Sequence, residues 1–274
     1  MKGIDKKEVK HEFIDSHAHL DLEDFDSDRD QVIERAFEAG VKTILCPAEA
    51  TSSKSLKVTS KLISKYPSLL AAAGVHPHKA KDINTDLAQK LKELALKKQI
   101  VAVGEIGLDF HYSFSSPQKQ IDVFRRQLSI AQELTLPVVV HSRKAGPEII
   151  NSIKQENFHQ GGVLHCFTEN WETAKEMLNH NFLISFSGIL TYPKAQALRN
   201  VAQKIPLEKL LVETDSPYLV PASYRGKIQR NEPSFVVETA EVLAGIKKVN
   251  LAELSAATTE NFISIFKFEK KNIR

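Results

Sequence analysis

Residues 100–143 read IVAVGEIGLDFHYSFSSPQKQIDVFRRQLSIAQELTLPVVVHSR, and the order of elements in this stretch decides the fold. It opens on an apolar run, 100–109, that ends in acids. The middle begins at Ser116 and Pro117, a hydroxyl N-cap followed by the residue favoured at the first helical position. An amphipathic pattern with helical spacing follows. The stretch closes on a second apolar run, 137–143. Strand, helix and strand in this order form a βαβ unit, which makes the two strands parallel.

The same alternation extends outward in both directions. β-rich apolar runs recur as EFIDSHAH (12–19), VKTILCPA (41–48), LLAAAGVHP (69–77), GVLHCFT (162–168), FLISFSG (182–188) and KLLVETDSP (209–217). Between them, DRDQVIERAFEAG repeats apolar residues at Val32, Ile33, Ala36 and Phe37 and stops at Gly40, a favoured residue just past a helix end. NTDLAQKLKELALKK places Leu87, Leu91, Leu94 and Ala95 on one face and opens with a capping Asn84 or Thr85. The runs are nearly continuous in Val, Ile, Leu and Ala, as parallel strands buried on both faces require. Eight such βα units predict a closed (β/α)8 TIM barrel. A chain of 274 residues suits one such unit, so the expectation is a single domain over 1–274 with flexible ends at 1–11 and 268–274. The rival is a doubly wound open sheet; no GxGxxG follows the first strand, which removes the dinucleotide-binding version. A helix near 233–248 and an appended C-terminal helix near 251–266 complete the chain.

Composition narrows the function class. Hydrophobic residues make up 42% and charged residues 26%, an ordinary globular balance. The net charge of +3 tolerates a polyanionic partner without requiring one. Two cysteines, Cys46 and Cys166, have no CxxC partner, which excludes a disulfide framework and favours a reducing compartment. The N-terminal MKGIDKKEVKHEF lacks an apolar signal-peptide core, and no apolar run approaches the ~18 residues of a membrane span. The expectation is a soluble, cytoplasmic, monomeric protein.

In a (β/α)8 barrel the active site lies at the C-terminal ends of the strands. Six of the ten histidines fall there: His17 and His19 after the first strand, His76 and His78 after the third, His141 in the fifth, His165 after the sixth. Glu105 and Asp109 end the fourth strand, and Glu213 and Asp215 the eighth. In a strand, His17 and His19 would project from one face about 7 Å apart. Imidazoles and carboxylates beside buried apolar strands need partners, and a divalent cation would serve them together. Taken singly, each reads more simply as a hydrogen-bonded loop residue; their recurrence at equivalent barrel ends favours coordination. Asp109 has an alternative role, bonding backbone amides of the following loop. Cys166 and Trp171 read as packing residues, and the lysine-rich KFEKKNIR (267–274) as a solvated tail. Phe110, Tyr112, Phe114 and Phe167 have two readings, stacking on nucleobases or packing, and packing is preferred.

The motifs DSHAHLD, GVHPH, GEIGLDF, PVVVHSR, HCFT, ETDSPYL and YRGKIQRNEP occur here in the order found in the TatD family of metal-dependent hydrolases, the TatD-type deoxyribonucleases. The resemblance runs from about residue 12 to residue 266. It implies a TIM barrel of the amidohydrolase-like superfamily that holds two divalent metal ions, Mg, Mn or Zn. His17, His19 and Asp215 would hold the first ion, His141 and His165 the second, and Glu105 would bridge them. Some superfamily relatives carry a carboxylated lysine as the bridge, and Glu105 separates this chain from them. Arg143 and His76 match substrate-contacting positions. KAGPEI after HSR departs from the many bacterial members that carry an acid soon after the arginine, and the loop HYSFSSPQKQ is variable. Both departures bear on substrate choice.

The function implied is metal-assisted phosphodiester hydrolysis of DNA, as a 3′-to-5′ exonuclease preferring single strands, with RNA sometimes accepted. Asp215 and Glu105 would be the catalytic residues, with Asp215 the candidate general base. Glu213 reads as support for the site, and Glu232 as an organiser of the RNEP loop. Two alternatives stand beside this reading. One is the same chemistry on another ester, such as an aminoacyl-tRNA ester or a small phosphoester. The other is a non-catalytic barrel with a relic site, which a lost ligand would mark; all six ligand positions keep ligating residue types.

Overall fold

A computed structural model describes residues 11–112 and 114–267. The ends expected to be flexible, and the KFEKKNIR tail, lie outside the described residues except for His11 and Lys267. All eight expected strands form, as β1 (Phe13–Asp15), β2 (Val41–Glu49), β3 (Leu69–Gly74), β4 (Ala102–Asp109), β5 (Val138–Arg143), β6 (Gly162–Leu164), β7 (Phe182–Phe186) and β8 (Leu210–Val212). They pair in chain order, every pair parallel. β8 returns to β1 through the Ser16 N–H, which donates to Val212 O at 3.1 Å, and through a parallel bridge between Ala18 and Ser216. The protein is a (β/α)8 TIM barrel.

The helices are α1 (Arg29–Glu38), α2 (Ser53–Lys65), α3 (Leu87–Leu96), α4 (Pro117–Leu134), α5 (Gly146–Gln155), α6 (Trp171–Asn179), α7 (Gln196–Lys204), α8 (Val236–Lys247) and α9 (Leu251–Phe266). Local signals set their starts. The Ser116 hydroxyl accepts from the Lys119 N–H ahead of Pro117 in α4, and Asn170 caps the Thr173 N–H at the start of α6. α3 departs from expectation. Its N-cap is Asp86, with no side-chain capping bond, because Asn84 and Thr85 lie a residue or two before the first helical turn. None of the helices among the described residues is long and apolar enough to cross a membrane.

Strand alternation divides the buried residues into two cores. Phe13, Ile44, Ala71, Val103, Val140, Leu164, Ile184 and Val212 face outward onto the helices. Ile14, Leu45, Leu70, Ala102, Val139, Val163, Leu183 and Leu211, one from each strand, fill the barrel interior. Phe262 and Phe266 of α9 join that inner set. The appended helix therefore closes the N-terminal end of the barrel, and Asn261 fixes it by donating to the Leu207 and Leu210 carbonyls, each at 2.9 Å. With one end plugged and all strands parallel, polar residues that leave the strands emerge together at the opposite end.

Candidate metal centre at the barrel mouth

Glu105 stands at the centre of that mouth. It belongs to β4, where pairing with β5 shifts between Val103 and Ile106; such an irregularity re-aims a side chain. Two residues on, Gly107 has φ +138°, and a Cβ there would lie 2.0 Å from the His141 carbonyl oxygen. Glycine is thus what lets β4 run close against β5 between the two acids. Glu105 Oε1 lies 2.7 Å from His165 Nε2, 3.1 Å from His141 Nδ1 and 3.3 Å from His76 Nε2. Oε2 lies 3.4 Å from His17 Nε2 and 3.6 Å from His19 Nε2.

His17 and His19 differ from their expected setting. β1 ends at Asp15, and the chain leaves the regular ladder to close against the residues after β8. Their Nε2 atoms converge to 3.3 Å. Asp215 Oδ1 lies 3.3 Å from His19 Nε2 and 4.0 Å from His17 Nε2. Two donors bound to one cation at ~2.0–2.2 Å sit roughly 3.0–3.5 Å apart, close to the 3.3–4.0 Å spanned by these pairs. Among the described residues three groups could hold a metal ion: His17, His19 and Glu105; His17, His165 and Asp215; and His76, Glu105 and His141. The six residues expected as ligands are brought together, and His76 joins them.

The electrostatics suit a cation-binding set. Burial alone would raise the Glu105 carboxyl, but His165, His76 and His141 outweigh it and hold the group well below the usual carboxylate range. Asp215 is likewise lowered, against burial, chiefly by His19. Burial pushes His76 down to about 4 and, with the His165 imidazole, lowers His17. His19 rises to about 9 against its burial because Asp215 and Glu105 face it. An imidazole ligates only when neutral, so protons on the raised members would leave as a cation enters.

The rows of residues behind these donors fix their aim. Asp15, fully buried, accepts from the Thr214 N–H at 2.9 Å, the Thr214 hydroxyl at 2.5 Å and the His17 N–H at 3.2 Å. It thereby ties the His17 segment to the Asp215 segment. Glu213 Oε1 lies 3.3 Å from His165 Nδ1 and accepts from the Cys166 N–H at 2.7 Å. Asp109 takes the loop role and stands in none of the metal groups: Oδ1 accepts from the His111 and Tyr112 N–H groups, and Oδ2 lies 2.8 Å from His78 Nε2 and 3.3 Å from His141 Nε2. Carboxylates on the far nitrogen of a ligating histidine are the usual way such rings are oriented.

Comparison with known proteins fits this arrangement. The family model described as TatD related DNase matches residues 14–267. The chain belongs to the TatD family. It is 38% identical over 255 residues, 93% of this chain and 98% of the other, to an uncharacterized metal-dependent hydrolase YabD of Bacillus subtilis. It is 35% identical over 257 residues, 92% of this chain and 97% of the other, to a protein of Citrobacter rodentium named 3′-5′ ssDNA/RNA exonuclease TatD. The crystal structure of a TatD homolog of Escherichia coli, YJJV, superposes with a TM-score of 0.87 at 30% identity, covering 94% of this chain and 98% of that one. The protein is thus a TatD-family metal-dependent hydrolase.

The remaining motif residues of this TatD-family chain divide between mouth and frame. Arg143 is exposed at the end of β5, its guanidinium 4.7 Å above the Tyr112 ring. Buried Asn231 of the RNEP segment donates to Thr214 O through its side chain and to Pro217 O through its backbone N–H, so it braces the Asp215 turn. Arg230 clamps Asp28 with two bonds of 2.8 Å and also reaches Glu232 at 2.9 Å. Glu232 in turn accepts from Arg35 at 2.8 and 2.9 Å, which makes it the organiser expected of it. Phe167 is buried and Phe110 partly so, as packing requires, but Tyr112 and Phe114 are exposed. The sequence places all four near strand ends and does not separate them. Cys166, expected to pack, is half-buried with its thiol 3.2 Å from the Ser187 hydroxyl. Trp171 starts α6, partly buried, with the Lys204 ammonium 5.4 Å above its ring.

The Arg230 clamp carries a pH prediction. The Arg230 hydrogen bonds hold the Asp28 carboxyl down at about 2. A depressed carboxyl stabilises the fold fully above its unfolded value near 4 and loses that contribution as pH falls toward 2. Asp28→Asn should lower stability by about 1 kcal/mol at pH 6, as for a bidentate pair partly open to water. Urea midpoints of wild type and variant should converge as pH drops from 4 toward 2. A gap that persists at the acid end would contradict this account.

Proposed function

We propose that this TatD-family hydrolase cleaves phosphodiester bonds of DNA, removing nucleotides from the 3′ end of single strands, with RNA as a second substrate. The observation that carries the reading is the packed donor set, five imidazoles and Asp215 around Glu105, beside an exposed arginine. The relative named 3′-5′ ssDNA/RNA exonuclease supports the substrate class. In this proposal His17, His19 and Asp215 would hold one divalent ion, His141 and His165 would hold a second, and Glu105 would serve both. Imidazole and carboxylate together suit Mg, Mn or Zn. When bound, such cations acidify water and neutralise charge on phosphate oxygens.

The protein's own residues do the rest. The lowered Asp215 carboxyl is ionised at neutral pH and accepts the proton of the attacking water. Arg143 offers a planar fork to the non-bridging phosphate oxygens, and His76 contacts the substrate. Glu213 and Asp109 keep His165 and His141 aimed. We place the protein in the cytoplasm, acting as a monomer.

The test is digestion of a 5′-labelled single strand by purified protein in EDTA, Mg2+ or Mn2+. A metal-dependent ladder shortening from the 3′ end is expected. Asp215→Asn should lower kcat by about 10²–10⁴-fold, the range of a lost general base. No cleavage with any metal, by protein carrying bound metal, would overturn the nuclease reading and turn attention to aminoacyl-tRNA esters and small phosphoesters.

A further inference from the structure

Large apolar side chains are scarce on this surface, and their location is uneven. The exposed ones among the described residues are Leu96, Tyr112, Phe114 and Tyr218. All three aromatics stand at the barrel mouth, against the donor set. Phe114 is 56% exposed, with its ring 4.7 Å from that of His78 and 5.8 Å from that of Tyr112. Tyr112 is 42% exposed, 5.7 Å from the His78 ring and under the Arg143 guanidinium. Tyr218 is 53% exposed on the other side, its ring 6.0 Å from that of His19 and its N–H bonded to Asp215 O at 3.0 Å. Tyr112 and Phe114 therefore border the His78, Asp109 and His141 side of the cluster, and Tyr218 borders the His19 and Asp215 side.

We propose that Tyr112 and Phe114 on one side of the mouth, and Tyr218 on the other, form stacking stations for unpaired nucleobases on either side of the scissile phosphate. This rests on the nuclease reading above and names the part of the substrate those rings take. Exposed aromatic rings gathered at one polar mouth, rather than scattered singly, mark a surface that a ligand covers. Bases in a duplex have both faces covered by their neighbours, whereas bases of a single strand are free to stack on aromatic side chains. Arg143 joins the two kinds of contact. Its guanidinium is stacked on Tyr112 and makes no ion pair among the described residues, so its fork faces the backbone of a strand whose base lies on the adjoining ring. Preference for single strands then comes from the rings at the mouth.

The experiment compares two single strands with the metal-loaded protein. One carries ordinary bases; the other has abasic tetrahydrofuran residues at its last two 3′ positions. Wild type should favour the intact strand in kcat/KM by roughly tenfold or more, as loss of base stacking predicts. Phe114→Ala and Tyr218→Ala should each pull that ratio toward one, mainly through KM. Phe114→Leu keeps apolar bulk without the ring and should behave as the alanine variant. Alongside, a phosphorothioate strand ending in 2-aminopurine should lose fluorescence on binding wild type and recover it in the variants. If the intact-to-abasic ratio and the quenching are the same in wild type and folded variants, the stacking stations are wrong while the nuclease reading stands. If no strand is cut, that reading fails, and the quenching by itself decides the stations: its loss in the variants supports them, its absence in wild type overturns them.

Discussion

Glu105→Ala is expected to leave the protein without its bound divalent metal and to lower hydrolysis by at least about a thousandfold. Two of the three donor groups share this carboxylate. One of its oxygens lies 2.7–3.3 Å from three imidazole nitrogens and the other 3.4–3.6 Å from two more. Without it, five imidazoles face one another with no anion at their centre, and a cation placed there would meet mostly neutral donors. Glu105→Gln tests whether charge or shape matters, since the amide keeps the volume and loses the charge; it should fail almost as completely. Elemental analysis of dialysed protein reads metal content, and circular dichroism reads folding. A folded Glu105→Ala protein that keeps its metal would show that the donors around it suffice, and the bridging role would be lost.

The second large effect should be on stability. Asp15→Ala removes one buried acceptor that serves three donors: the Thr214 N–H, the Thr214 hydroxyl and the His17 N–H. A buried donor left unpaired costs about 1–3 kcal/mol, so three of them should cost roughly 3–9 kcal/mol. This is a large part of a typical folding stability. The two bonds from Thr214 join the end of β1 to the segment after β8, where barrel closure and the metal centre coincide, and the third holds His17 to the same carboxylate. Activity should therefore fall with stability, because His17 and Asp215 lose their common anchor. Denaturant unfolding measures the first effect, and kcat at a temperature where the variant is still folded measures the second. A loss below about 1 kcal/mol would mean that water replaces the carboxyl group, and that closure rests on the backbone bonds alone.

Much of this architecture is legible in the sequence. Apolar runs of strand length, helical repeats and caps such as Ser116–Pro117 are local signals, and a parallel barrel gathers all strand ends at one face. The chain alone therefore tells that His17, His19, His76, Glu105, His141, His165 and Asp215 meet at one mouth. Local signals do not carry the distances. That the His17 and His19 Nε2 atoms converge to 3.3 Å, and that β1 stops at Asp15 so that the next residues close against the β8 side, depends on contacts distant in the chain. The joining of His76 to Glu105 and His141 needs β3, β4 and β5 side by side. In the sequence Asp15 is one more acid beside a histidine pair; its partner Thr214 lies 199 residues away. Nor does the sequence separate Phe167 from Phe114, both near strand ends, because burial depends on what the rest of the chain lays over each ring. The sequence by itself determined which elements form and which chemistry collects at the mouth, since both follow from local periodicity and the direction of the strands. Only the tertiary structure decided which atoms touch and which rings stay in water, since both depend on contacts between residues far apart in the chain.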